Sequence, residues 1–178
     1  MKKDIEAIPV IQWLLAGDPW VVYRTRLDLL KQDTDSVNVM TAYSEMFAHQ
    51  KIQGLLQELF AWPGEALKNH KKAGHLLHKL VFIADLGLTA NDPQVAAIVQ
   101  KVLNMNAPEG PFQILVNLPR AFGGSGEDEV SWMLGDAAST LYAVSKLDGT
   151  EHPKVIAAAD YLASLVRETG GGPCAAAP

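Results

Sequence analysis

The nine residues DPQVAAIVQ, Asp92 to Gln100, return sixty positions later as HPKVIAAAD, His152 to Asp160, and more faintly as DPWVVYRTR from Asp18. A chain that writes one helix opening repeatedly is committed to packing like elements side by side. Behind the first copy, Val95, Ile98, Val99, Val102 and Leu103 follow the spacing that turns one face of an α-helix inward. Behind the second, Val155, Ala158, Ala159, Leu162 and Ala163 repeat it position for position. Each stripe is preceded by another apolar helix, Leu76 to Leu86 and Ala137 to Leu147, so the repeating element is a helix pair. An all-α, single-domain fold over 1–178 is therefore expected, with pairs at about 73–106 and 131–168 and one irregular insertion at 107–130.

The openings have a mechanical reason. Pro19, Pro93 and Pro153 suit the first helical position, where a missing N–H costs nothing, and Asp18 and Asp92 can cap with a carboxylate. His152 is expected to cap less firmly. Gly87 and Gly149 are candidate helix stops. Earlier in the chain, Ser36 is placed to cap a helix carrying Val39, Met40, Tyr43 and Phe47, and Ile52, Leu55, Leu56, Leu59 and Phe60 form a further stripe.

Composition narrows the partners. A net charge of −5 gives no cationic footprint for nucleic acid or an anionic membrane. The basic stretch Lys68 to Lys79 is most simply the solvated start of a helix. No segment offers the roughly 20 apolar residues of a membrane span. Asp4 and Glu6 break a signal-peptide pattern, and the single Cys174 allows no internal disulfide, so a cytoplasmic location is expected.

Between the pairs, Phe112, Ile114, Val116 and Leu118 alternate as a short strand or an extended segment would, before Pro119, Gly123, Gly124 and Gly126 break regular structure. So long a connection in a helical domain is usually functional or ordered by contact. GGSGEDE within it lacks the lysine of a phosphate loop and the second glycine of a serine-hydrolase elbow. Glu127, Asp128 and Glu129 either cap the helix carrying Trp132 or face a cavity. DTDS at Asp33 to Ser36 resembles the acidic motif of squalene cyclases, but a turn and helix cap explain it more simply. His75 and His78, with His70 nearby, stand at a spacing that could share zinc, yet no third ligand is identifiable; no metal and no cofactor are expected. Trp13, Trp20, Trp62 and Trp132 either line an aromatic pocket or fill the core.

Three stretches, LVFIADLGLTANDPQV, GPFQILVNLPRAFGGSGEDEVSWMLGDA and LYAVSKLDGTEHPKVIAAADYLASL, together resemble a group of prokaryotic proteins described as squalene cyclase-like, with a prenyltransferase-type α/α toroid. The resemblance covers roughly Trp13 to Pro178 and is strongest from Phe112 to Asp136. It implies an arc or ring of paired helices around a hollow, without implying cyclisation. The chain departs from the pattern at Gly135, where the family tends to carry cysteine, and in ending at GGGPCAAAP, which resembles an internal loop of longer members. An incomplete toroid would expose its last helix pair, so self-association is expected. The expected function is binding of an apolar small molecule or a protein segment on a concave face, with Trp132, Asp136, Phe122, Glu127, Asp128, His75 and His78 as candidate contacts. The alternative is a terpenoid-cyclase-like enzyme that protonates an isoprenoid through an acid such as Asp136.

Overall fold

A computed structural model of the chain describes residues 6, 8–69, 72–122, 124–168 and 170, Phe122 by its backbone alone. His70, Gly123 and Cys174, and most of GGGPCAAAP, lie outside the described residues. The fold is mostly helical, with eight α-helices and one two-stranded sheet among the described residues. None of these helices is long and apolar enough to cross a membrane. The chain divides into two compact units, Met1–Gly54 and Leu55–Pro178.

In the first unit, α1 (Pro9–Leu15) is followed by α2 (Pro19–Arg24), which runs into a π-helical turn (Thr25–Leu29) and then α3 (Val37–Ala48). Both α1 and α2 begin with proline at the first helical position. The buried face of α3 is Val39, Ala42 and Met46; Met40, expected inside, is 55% exposed. The small Ala42 at the centre of that face suits the close packing of α2 on α3. Tyr43 is half-buried between Tyr23 and Phe47, with ring centroids 5.2 and 6.3 Å away. α4 (Gln50–Leu59) begins in this unit and ends in the second; it buries Ile52 in the first and Leu56 and Leu59 in the second, as its stripe predicts.

The second unit carries α5 (Leu76–Leu86), α6 (Pro93–Leu103), α7 (Leu134–Asp148) and α8 (Pro153–Ser164). α7 packs against α5, α6 and α8. All five stripe residues of α6 are buried, and each such side chain contributes about 1.5–3 kcal/mol of hydrophobic stabilisation. The echo in α8 is only half used: Val155 and Ala158 are buried, Leu162 is half-buried, and Ala159 and Ala163 face solvent. The sixty-residue spacing also relates burial in α5 to burial in α7. Leu77, Leu80, Ile83 and Ala84 of α5 are buried, and so are Ala137, Thr140, Ala143 and Val144 sixty positions on. Lys154, in the first turn of α8, donates from Nζ to the Leu103 carbonyl at the end of α6, 2.6 Å away, a cation placed where the helix dipole favours it.

Helix starts differ from expectation in their chemistry. Asp18, Ser36 and Asp92 occupy cap positions, yet none makes a side-chain cap hydrogen bond. Histidines do so instead. Nδ1 of His75 accepts the Leu77 N–H and Nδ1 of His152 accepts the Lys154 N–H, both at 3.2 Å, and His49 accepts the Lys51 N–H in the same way at the start of α4. His152 is thus a working cap, contrary to its low rank in cap preference. A ring nitrogen two bonds beyond Cβ reaches the second amide, a geometry that preference scales built on carboxylates and hydroxyls do not capture. Gly87 stops α5 in the left-handed region (φ 88, ψ 25), whereas Gly149 turns out of α7 at φ 92, ψ 169, extended but still open only to glycine.

His75 is the most constrained of the caps. Its ring is 2% exposed, and Nε2 lies 3.0 Å from the Glu65 carbonyl oxygen. Because Nδ1 must be bare to accept from Leu77, the proton sits on Nε2 and is donated to Glu65. His75→Ala is expected to cost about 1–2 kcal/mol, read as a lower urea midpoint at unchanged slope. His75→Asn, which retains a cap acceptor, should recover part of that loss. A midpoint for His75→Ala equal to that of the parent chain would contradict the assignment.

Candidate functional site

The insertion is built as a lid on the core of the second unit. β1 (Ile114–Val116) pairs antiparallel with β2 (Glu129–Ser131), Leu115 opposite Val130, so the expected alternation forms a strand. Leu67 adds a parallel bridge to Val116, its N–H donating to the Leu115 carbonyl at 2.8 Å. Phe112, Ile114 and Val116 are buried at 1% exposure or less, which accounts for the ordering of this segment by the chain's own packing. Gly110 (φ 126) approaches α8 so closely that a Cβ there would stand 2.9 Å from the Ala157 carbonyl oxygen.

Trp132 and Asp136 follow directly from β2 into the first turn of α7. Trp132 is 5% exposed and packs with Ala107, Ala137, Tyr161, Leu162 and Leu165, its ring edge-on to Tyr161 at 5.7 Å. The indole N–H donates to Glu109 Oε1 at 2.8 Å, which satisfies the one polar atom that burial would otherwise leave unmet. Trp132 therefore fills the junction between insertion and α8. Asp136 is 3% exposed, and its backbone carbonyl accepts the Thr140 hydroxyl at 2.8 Å.

The acidic run lies apart from these two. α7 starts at Leu134 with Met133 at its cap position, so Glu127, Asp128 and Glu129 do not cap it, contrary to that expectation. They are exposed and organise the β1–β2 connection: Asn117 Nδ2 donates to Asp128 Oδ1 at 2.7 Å, and the Glu127 N–H donates to Ser125 Oγ at 3.2 Å. Phe122 belongs to a 3-10 turn, Arg120–Phe122, in the same connection. DTDS forms a turn before α3, the Ser36 N–H donating to the Asp33 carbonyl at 3.0 Å. His75 and His78 stand edge to face at 6.5 Å, but His75 has committed both ring nitrogens to backbone groups. Among the described residues no cluster of three or more metal-binding side chains occurs. Glu65, beside His75 in space, holds Lys72 at 2.6 Å, and that hydrogen-bonded ammonium keeps its carboxyl below the usual range.

The tryptophans divide by environment. Trp62 and Trp132 are buried in the second unit, while in the first Trp13 is 71% exposed and Trp20 lies beneath the Lys51 ammonium at 5.4 Å. The exposed aromatic surface of the second unit comes from residues that sequence reasoning passed over. Phe82 on α5 and Tyr142 on α7 are sixty positions apart, and they are 47% and 43% exposed. The Tyr142 hydroxyl spans to Asp85 Oδ1 at 2.5 Å, one turn from Phe82, and Lys146 Nζ sits 5.7 Å from the Tyr142 ring centre. The two helices thus carry one mixed aromatic and charged patch. Extending the sixty-residue comparison from α6 and α8 back to α5 and α7 would have found it.

No protein-family model, no curated protein and no solved structure matches the chain.

Since Trp132 acts as a packing element, Trp132→Ala should cost about 3–5 kcal/mol, whereas Trp132→Phe should lose about 1–2 kcal/mol with the Glu109 bond. Chemical denaturation checks both. Equal stability of Trp132→Ala and the parent would mean that the indole faces an open site.

Proposed function

We propose that the second unit is a helical-repeat binding module whose exposed α5–α7 face takes a protein segment. The observation that carries this reading is the repeat-related pair Phe82 and Tyr142, joined through Asp85 and flanked by Lys146. Large aromatics with adjacent charges supply the anchors of protein interfaces, and helical repeats set such anchors at regular intervals. Trp132, buried behind the insertion, serves the scaffold. The resemblance to squalene cyclase-like proteins supports the same helix-pair scaffold, and cyclisation is no part of the reading.

A photo-crosslinking amino acid at position 82 or 142 tests it in cells. A discrete protein adduct from both positions, absent with the same group at the exposed Lys101 on α6, is the expected result. Equal labelling from all three positions, or no adduct at 82 and 142, would contradict it.

Self-association belongs to this proposal, supported by the exposed row Ile156, Ala159 and Ala163 on α8. Light scattering should report a dimer that Ile156→Asp dissociates; a monomer at every concentration would remove that part. A second reading, acid catalysis on an isoprenoid, rests on the burial of Asp136 alone. It requires a retained isoprenoid in native mass spectrometry of the purified protein.

A further inference from the structure

The first unit contains a half-open cleft of about 360 Å³, formed where the turn between α1 and α2 faces α3. One wall is apolar, from Leu15, Pro19 and Val22. The other is a single face of α3, Asn38, Thr41 and Glu45 at three- and four-residue spacing. Arg26 completes the lining, and it issues from the π-helical turn closed by the Leu30 N–H on the Thr25 carbonyl at 3.0 Å. Such turns are frequent at functional sites.

Two neighbouring arginines show how unusual Arg26 is. Arg24 makes a two-pronged bond to Asp28, Nε at 2.9 Å and Nη2 at 3.0 Å, the usual way a guanidinium meets its carboxylate. Arg26 meets the neutral side-chain amide of Gln32, Nη1 to Oε1 at 3.3 Å, and its Nε is buried without a hydrogen-bond partner. Gln32 holds it from both sides, since the Gln32 N–H also donates to the Arg26 carbonyl at 3.0 Å. A guanidinium whose side-chain hydrogen bond goes to a neutral amide, at the edge of a cavity within the usual range of ligand sites (about 300–1,000 Å³), has N–H groups beyond the buried Nε to offer an acceptor in the cleft. Glu45 on the opposite wall disfavours a polyanion.

We propose that this cleft binds a small monocarboxylate with a short apolar tail, the carboxylate taken by the Arg26 guanidinium and the tail laid along Leu15, Pro19 and Val22. Sodium pentanoate is a suitable probe, with n-pentylammonium as the matched cation, both titrated into the full chain and followed by amide NMR shifts. Pentanoate should give saturable shifts at Thr41, Ala42 and Glu45, and pentylammonium none. Arg26→Met should weaken pentanoate by at least about tenfold, and Arg26→Lys, which retains charge without the planar fork, by less. Thr41→Tyr, a change at an exposed position of α3, fills the cleft without touching Arg26 and should abolish the shifts, so the test does not depend on one variant folding. Absence of saturable shifts up to about 20 mM pentanoate, equal binding by Arg26→Met or Thr41→Tyr, or equal shifts from pentylammonium would overturn the proposal.

Discussion

The second unit depends on the burial of α7 among three other helices. Its inward positions are small: Ala137, Thr140 and Ala143 are all fully buried, where α5 has Leu77, Leu80 and Ile83 at the corresponding places. Small residues let backbones approach closely, so one helix can contact α5, α6 and α8 together. Thr140 fits this dry position because its hydroxyl is satisfied within the helix, by the Asp136 carbonyl. The remaining parts of the unit attach to that centre. The insertion delivers Trp132 to the start of α7, and Leu147 at its far end accepts the Ala90 N–H from the α5–α6 connection at 2.7 Å.

This arrangement separates scaffold from surface. Side chains that chemistry-minded reading favours, such as Trp132 and His75, are used to close the core and to cap a helix. What the pairs present outward is the aromatic and charged patch on α5 and α7. The acidic connection between β1 and β2 holds itself in shape through Asn117, Ser125 and Asp128. The exposed aromatic patch and the buried centre therefore lie on different faces of the same two helices.

How much of this was legible in the sequence depends on the kind of interaction. The α6 stripe was fully legible, because five branched apolar side chains at helical spacing have one physical outcome. Its echo in α8 was not, because alanines at 159 and 163 tolerate either environment and only a neighbouring helix decides between them. The strand at 114–116 was legible from alternation, while the pairing of Leu67 with it depends on tertiary contact alone. Histidine caps were missed because their geometry involves Nδ1 rather than a carboxylate. Trp132 and His75 make packing and capping contacts that their chemistry alone does not foretell, whereas the exposed Phe82 and Tyr142 were hidden in apolar stripes whose outward members look like inward ones. The Arg26 cleft left no sequence signal, since a π-helical turn has no composition of its own.

Native-state hydrogen exchange tests the central place of α7 most directly. The amides of Ala143 and Val144 should exchange among the slowest in the chain, together with those of α6, and amides in the latter half of α8 should exchange faster. Exchange in the middle of α7 as fast as in α8 would contradict it, because no helix enclosed on three sides could open so readily.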